Sequence, residues 1–396
     1  MKIVIAGKNS IAVDVLKHVI DHLDIQIFVV LNSTETFKNN FQKSLGFYAN
    51  LWEIPILKLD EVYKYEDAIF LSLEFDKIVK PNLFKTKSLF NIHFSLLPAY
   101  KGMYTSALPI LHNKYKTGVT LHEIDAGIDT GNIIDQKEIT IDISDTARDL
   151  YTKYVKLGSE LVIKNITNLV ENNYSSYKQS YKKSTYFGKK SIDYSSLKIN
   201  YRQTAEQVIR ELRAFSFREY QLPKFQNNQI EKGQITRINS TLKPGAIVYE
   251  NDRKIQVATI DYDIVLFKDL YEIIWKYCEV NDYSNLKNLL SIQKFDLETK
   301  TKEGWTALII TAYNGAFECL ELLINHGANV NAANYNHTTA LMYAKTNYLN
   351  TDNKKCLNKL IDSGADLDSK DVFGKTLLDW VKEENTVLYS YLREII

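Results

Sequence analysis

The chain has 396 residues, more than one average core holds, and at roughly 100–200 residues per domain it should divide into two or three. Apolar residues make up 45% and charged residues 24%, the balance of an ordinary globular protein. A formal net charge of +1 and the lack of any run near ~18 apolar residues exclude a polyanion-steered or membrane-spanning chain, so neither nucleic acid nor membrane is expected as a partner.

The N-terminus, MKIVIAGKNSIAVDVLKHV, has only a short apolar run before Gly7 and no small-residue cleavage site, so it reads as a first strand and not as a signal peptide. After the strand Ile3–Ala6, residues Ile11, Val15, Leu16, Val19 and Ile20 recur at helical steps, and Ile25–Leu31 is a second apolar run. Strand, helix and strand in this order mark a parallel βαβ unit. Ile69–Leu73 and Ser88–His93 supply further strands, and Gly118–Glu123 alternates as a strand should. The first part of the chain is therefore expected as an open, mostly parallel α/β sheet of Rossmann-like type. Tyr151–Asn172 reads as an amphipathic helix closing it, and the polar stretch Asn173–Ser184 as a linker. Beyond Ser191 the helix Thr204–Phe215 precedes short segments, Gln234–Ile238, Gly245–Glu250 and Lys254–Ile260, which predict a small, mainly β module.

The last part of the chain repeats itself. Gly304-Trp-Thr-Ala-Leu308, His337-Thr-Thr-Ala-Leu341 and Gly374-Lys-Thr-Leu-Leu378 recur at intervals of 33 and 37 residues. Leu322-Leu-Ile-Asn-His-Gly-Ala-Asn-Val-Asn331 also matches Leu360-Ile-Asp-Ser-Gly-Ala-Asp-Leu-Asp368. The pattern resembles the ankyrin repeat, a helix-turn-helix unit that buries its apolar face only by stacking on its neighbours. Ile273–Phe295 reads as a degenerate first repeat and Thr376–Ile396 as a terminal one. The expected domains are thus residues 1–185, 186–270 and an all-α repeat domain, 271–396. Cys278, Cys319 and Cys356 are odd in number and lack metal-ligand spacing, which fits a reducing cytoplasm.

Two segments place polar residues where a purely structural reading expects apolar ones. In Asn91-Ile-His-Phe-Ser-Leu-Leu-Pro-Ala-Tyr-Lys-Gly102, Asn91 and His93 are two apart at a strand end, so their side chains share a face. In an open α/β sheet, ligands bind outside the carboxyl ends of the strands. In Thr117-Gly-Val-Thr-Leu-His-Glu-Ile-Asp-Ala-Gly-Ile-Asp-Thr-Gly-Asn-Ile-Ile134, a strand runs into a loop that holds Asp125 and Asp129 among Gly118, Gly127 and Gly131. The first turn, Gly7-Lys-Asn-Ser10, lacks both Gly-x-Gly-x-x-Gly and Gly-x4-Gly-Lys-Ser/Thr, which argues against a nicotinamide cofactor or nucleotide hydrolysis. Asn9 and Ser10 stand where a helix begins, with N–H groups able to receive a phosphate or with Ser10 as a cap.

Together these runs resemble the 10-formyltetrahydrofolate-dependent formyltransferases, over residues 1–180 and loosely through the β module. The resemblance implies Asn91, His93 and Asp129 as the catalytic trio, N10-formyltetrahydrofolate as co-substrate and no metal. An Asn amide can donate to the oxygen that gains charge when an amine attacks a formyl carbon, His93 can accept the amine's proton, and Asp129 can orient that imidazole. Whether His93 acts alone or Asp129 relays the proton stays open. Leu71-Ser-Leu-Glu-Phe-Asp-Lys-Ile-Val79 resembles the segment whose backbone meets the pterin ring, so Leu71, Leu73, Asp125, Gly127 and Asp129 are expected to hold folate. His122 is read as a strand residue in the core or near the folate loop, and His112 as lying on a surface helix turn.

Near-neutral charge disfavours a tRNA substrate. Ile209-Arg-Glu-Leu-Arg-Ala-Phe215 followed by Pro223 resembles the sugar-nucleotide members, and an ankyrin tail resembles those acting on dTDP-linked 3-amino-3,6-dideoxyhexoses of bacterial O-antigens. A dTDP-amino sugar of gluco or galacto configuration is therefore the expected substrate, with the 4-amino isomers as the alternative and a homodimer as the expected assembly. Its expected contacts are Asn9, Ser10, Lys77, Ser95, Lys101, Gly102, Met103, Tyr104 and Tyr220. Trp305, at a repeat turn, is a candidate aromatic platform for a second nucleotide or a protein partner. A binding module of ankyrin repeats on a vestigial enzyme is the reading from a different class.

Overall fold

The structure, a computed structural model, describes residues 1–395. They fall into two compact units, one of Met1–Lys38 with Gln42–Asp269, the other of Asn39–Phe41 with Leu270 onward.

In the first unit the apolar runs become strands β1 (Lys2–Gly7), β2 (Gln26–Leu31), β3 (Ala68–Leu73) and β4 (Leu89–His93), followed by β5 (Lys101–Gly102), β6 (Lys116–Glu123), β7 (Ile133–Thr140) and β8 (Tyr186–Phe187). The main sheet has the order β2-β1-β3-β4-β6-β7. Its first four strands are parallel, and β6 and β7 are antiparallel additions. Parallel strands are covered on both faces, and Ile3–Ala6 and Ile69–Leu73 are accordingly buried throughout. The alternation of Gly118–Glu123 is not an in–out alternation either, because Thr117–His122 are all buried. One cover is α5 (Ala147–Val170), which packs across β4, β6 and β7 and against α1 (Asn9–His22). α5 begins four residues before the expected Tyr151, because Thr146 and Asp149 form a capping box that satisfies its first N–H groups. Three short helices, α2 (Leu45–Leu51), α3 (Leu59–Val62) and α4 (Leu108–Leu111), fill the connections, and His112 caps α4 at the surface.

α6 (Ala205–Phe215) packs on a second sheet of β9 (Lys224–Phe225), β10 (Asn228–Ile235), β11 (Ile247–Glu250), β12 (Lys254–Val257) and β13 (Ile264–Lys268), in the order β11-β12-β13-β10-β9. The sequence leaves β13 unassigned, yet it is the central strand. Its Ile264 and Leu266 join Val208, Leu212, Ile230 and Ile255 in one core.

The regular elements of the second unit are helices: α7 (Tyr271–Glu279), α8 (Tyr283–Ile292), α9 (Ala307–Asn314), α10 (Phe317–Asn325), α11 (Ala340–Thr351), α12 (Lys355–Asp362), α13 (Leu377–Glu384) and α14 (Thr386–Ile395). The repeated threonine has a physical reason. Thr306, Thr339 and Thr376 are the N-caps of α9, α11 and α13, and each hydroxyl accepts the third N–H of its helix. The degenerate first repeat, α7 with α8, lacks that threonine, and Leu270 stands there without a side-chain cap. The expected terminal repeat is α13 with α14, while residue 396 lies outside the described residues.

Candidate active site

Parallel strands β1, β3 and β4 end on one side of the sheet, and the residues at and just past these ends meet the β6–β7 loop there. Asn91 on β4 lies directly opposite His122 on antiparallel β6, so the two side chains touch across the strands. The Asn91 amide nitrogen is 3.0 Å from His122 Nε2. His122 Nδ1 is 2.7 Å from the Glu123 carbonyl, which can only accept, so the proton sits on Nδ1 and Nε2 accepts from Asn91. Burial pushes the His122 pKa down to about 4, which keeps the ring neutral. One N–H of Asn91 is thereby spent on His122, which holds the amide in place.

His93 is locked by the same logic. Its Nε2 is 2.8 Å from the Tyr100 carbonyl and must donate, which leaves Nδ1 as the nitrogen that faces the loop carboxylate. Asp129 Oδ2 lies 3.5 Å from that Nδ1, beyond a good hydrogen bond but within ion-pair range, and Asp129 Oδ1 is 3.7 Å from His122 Nε2. The same Oδ2 accepts the Gly102 N–H at 2.8 Å. Gly102 has φ +88°, and a Cβ there would stand 2.3 Å from the Phe187 carbonyl, so only glycine lets β5 pair with β8 while its N–H reaches Asp129.

Asn91, His93, His122 and Asp129 share the wall of a cleft of about 630 Å³. Asp125, Gly127, Lys77, Gly102 and Met103 also line it. Asp125 accepts the Gly127 N–H at 3.0 Å, which folds the loop back on itself. Other expected residues lie elsewhere. The side chains of Leu71 and Leu73 are fully buried in the core, while alternation along β3 turns Ser72 to the cleft, followed by Glu74–Val79. Ser95 is buried and gives its hydroxyl to the Ala99 carbonyl, a bond internal to its loop. Lys101 pairs with Tyr186 in the small β5–β8 sheet, and the Tyr104 hydroxyl is given to the Lys189 carbonyl. The Ser10 N–H, expected to be open to a phosphate, donates to Gln42 Oε1, and the helix is capped at Lys8 rather than by Ser10. Asn9 donates to Glu74 and to the Tyr151 hydroxyl behind the cleft wall. Tyr220 is exposed and packs on Phe217 with ring centroids 4.6 Å apart. In the helical unit, Trp305 is half-buried against Tyr313 and Tyr343, not exposed at its turn.

Thr105, Tyr186 and Lys189 in the cleft wall are not expected from the sequence, and Ser72 and Glu74 are expected only as members of the Leu71–Val79 segment. Glu74 had the best signal, a charged residue right after a buried strand that is apolar except for Ser72. Burial raises its carboxyl pKa, against the pull of hydrogen bonds from Tyr151 and Asn9. Glu74 and Asn9 both take left-handed backbone, φ +57° and +66°, a strain that persists where surrounding structure fixes it. Among the described residues, no group of three or more His, Cys, Asp or Glu side chains could hold a metal ion, and no helix is long and apolar enough to cross a membrane.

The formyl transferase family profile matches residues 59–166, and that of ankyrin repeats, in three copies, residues 274–371. The chain is 42% identical to an N-formyltransferase from Helicobacter canadensis, solved in complex with folinic acid and dTDP-3-aminofucose; the match covers 68% of this chain and 100% of that one, with a TM-score of 0.63. It is 44% identical to WlaRD, a sugar 3N-formyl transferase solved in the presence of dTDP and 5-N-formyl-THF, over 68% of this chain and 97% of that one, again with a TM-score of 0.63. A methionyl-tRNA formyltransferase of Coxiella burnetii is 25% identical over 275 residues, 65% of this chain and 87% of that protein.

Proposed function

Since the chain belongs to the formyl transferase family, we propose that it transfers the formyl group of N10-formyltetrahydrofolate to the amine of a dTDP-linked 3-amino-3,6-dideoxyhexose. The observation that carries this reading is the meeting of Asn91, His93 and Asp129 in one cleft, on a fold whose 42% identical relative was solved with folinic acid and dTDP-3-aminofucose. The cleft suits a flat, mostly apolar ring with polar edges: Phe75, Ile78, Val79, Ile124 and Ile128 line it beside the Asp125 and Asp129 carboxylates.

The folate supplies the formyl carbon, and the rest falls to this chain's residues. One N–H of Asn91 is held on His122, and the other donates to the formyl oxygen as charge builds there, a kind of contact whose loss costs ~10²–10³ in rate. His93 Nδ1 accepts the proton that the attacking amine sheds, a role worth ~10²–10⁴. Its other nitrogen is held by the Tyr100 carbonyl, so the free lone pair is on the side of Asp129. Asp129 then faces the imidazolium and stabilises it. As the new C–N bond forms and the bond to folate N10 breaks, the same proton returns to N10. Lys77, Gly102 and Met103 line the same cleft; in this reading Lys77 is the cation for the diphosphate and Gly102 and Met103 border the sugar. A formamido sugar nucleotide of this kind fits a donor for bacterial O-antigen synthesis.

The test is a panel in which purified protein and N10-formyltetrahydrofolate meet the 3-amino and 4-amino dTDP-sugars, glycinamide ribonucleotide and methionyl-tRNA. Selective formylation of a 3-amino sugar supports the proposal. Preference for a 4-amino sugar overturns the substrate, and formylation of none of the four overturns the reading of the site.

A further inference from the structure

The stretch after α5, which reads as a polar linker, is bonded to the site at several points. Tyr177 exchanges both backbone hydrogen bonds with Ile133, the first residue of β7. Two residues on, the Gln179 amide nitrogen donates to the Asp129 carbonyl at 2.9 Å and to the Gly131 carbonyl at 2.8 Å. One side chain therefore closes the turn that presents the Asp129 carboxylate, across 50 residues of chain. That turn needs holding. Asp129 sits at φ +54°, a region costly for a residue with a Cβ. Gly131 runs so close to Glu123 that a Cβ would stand 1.8 Å from its carbonyl oxygen.

The stretch then reaches the opposite wall. The Thr185 hydroxyl accepts the Tyr100 N–H at 2.8 Å, and the Thr185 carbonyl accepts the Lys101 N–H at 2.9 Å. Tyr100 in turn supplies the carbonyl that fixes His93, and Gly102 supplies the N–H on Asp129. A single segment thus sets both halves of the 3.5 Å approach between His93 and Asp129. Among the described residues the buried Gln179 Oε1 finds no hydrogen-bond partner, a cost that a side chain kept for stability alone would not favour.

From this we infer that Gln179 is a positioning residue for formyl transfer, acting through the backbone of Asp129. The inference rests on the role proposed for Asp129, and the experiment separates the two. Gln179→Ala, Gln179→Asn and Asp129→Asn are compared with wild type by steady-state kinetics over pH and by thermal melting. A displacement of about 1 Å at reacting groups can cost up to ~10²-fold, so Gln179→Ala should lose roughly 10- to 100-fold in kcat. KM for both substrates and Tm should stay near wild type, and the pH profile of kcat should shift, because the His93–Asp129 distance changes. Gln179→Asn, shorter by one methylene, cannot reach both carbonyls and should not restore the rate. Wild-type kcat in Gln179→Ala alongside an inactive Asp129→Asn overturns the inference alone. Loss of kcat only in step with Tm, with an unmoved pH profile, overturns it too. Full activity in Asp129→Asn overturns the reading of Asp129 and the inference with it.

Discussion

Gly102→Ala tests whether the backbone of the loop after β4 takes part in the site. The added methyl would stand 2.3 Å from the Phe187 carbonyl oxygen, where ordinary contact begins at 3.4 Å, so β5 must retreat by about 1 Å. At φ +88°, an alanine also pays strain of about 1–3 kcal/mol. Retreat takes the Gly102 N–H away from Asp129 Oδ2, now 2.8 Å distant, and frees the carboxylate to turn from His93. Since a 1 Å misplacement costs up to ~10²-fold, kcat should fall roughly 10- to 100-fold. Tm should drop by only a few degrees, in line with ~2–4 °C per kcal/mol for units of this size. Initial rates at saturating folate and amino sugar, with thermal melting of the same preparation, measure both. A Gly102→Ala protein with wild-type kcat would refute the argument, because the displaced N–H would then be idle.

Three further outcomes follow from the same geometry. Asn91→Ala should lower kcat by ~10²–10³ with little change in KM, measured in the same assay, because the donor works on the charge of the reacting oxygen. His122 is held neutral with its pKa near 4 against an ordinary 6.5, so between these values the unfolded chain binds a proton that the folded chain does not. Stability should therefore fall as pH drops from about 6.5 towards 4, by up to roughly 3 kcal/mol, and His122→Gln should flatten that slope in melts taken across the range. Thr306→Ala removes the cap that accepts the Ile309 N–H and should destabilise the helical unit by about 1 kcal/mol while leaving kcat unchanged, as read by chemical denaturation beside the activity assay.

The sheet, its first helix and the repeats were legible because each depends on local periodicity. Apolar runs gave β1 to β4, and a threonine recurring at the same place in each repeat marked the helix starts. Asn91 and His93 were legible as polar residues at a strand end, and Asp129 as the carboxylate of a glycine-rich loop. His122 was seen, but its bond to Asn91 depends on the antiparallel register of β4 and β6, which no single segment encodes. The parity of β3, which buries the Leu71 and Leu73 side chains and turns Ser72 to the cleft, depends on packing that the apolar run alone does not show. Ser10 was read as an open donor because the glutamine that fills its N–H comes from 32 residues away. Asn173–Ser184 looked like a linker for a related reason. Its composition is polar, yet its bonds run to half-buried and buried carbonyls and carboxylates at the ends of β6 and β7, as Ser176 and Tyr174 show on Glu123.

The most direct test of the account is the product itself. Wild-type protein and His93→Asn are incubated with N10-formyltetrahydrofolate and a dTDP-3-amino-3,6-dideoxyhexose, and the sugar is isolated and read by mass spectrometry and NMR. Wild type should give a formamide at C-3, and His93→Asn should form it at a rate lowered by ~10²–10⁴. An unmodified sugar from wild type, or equal formylation by the variant, would contradict this.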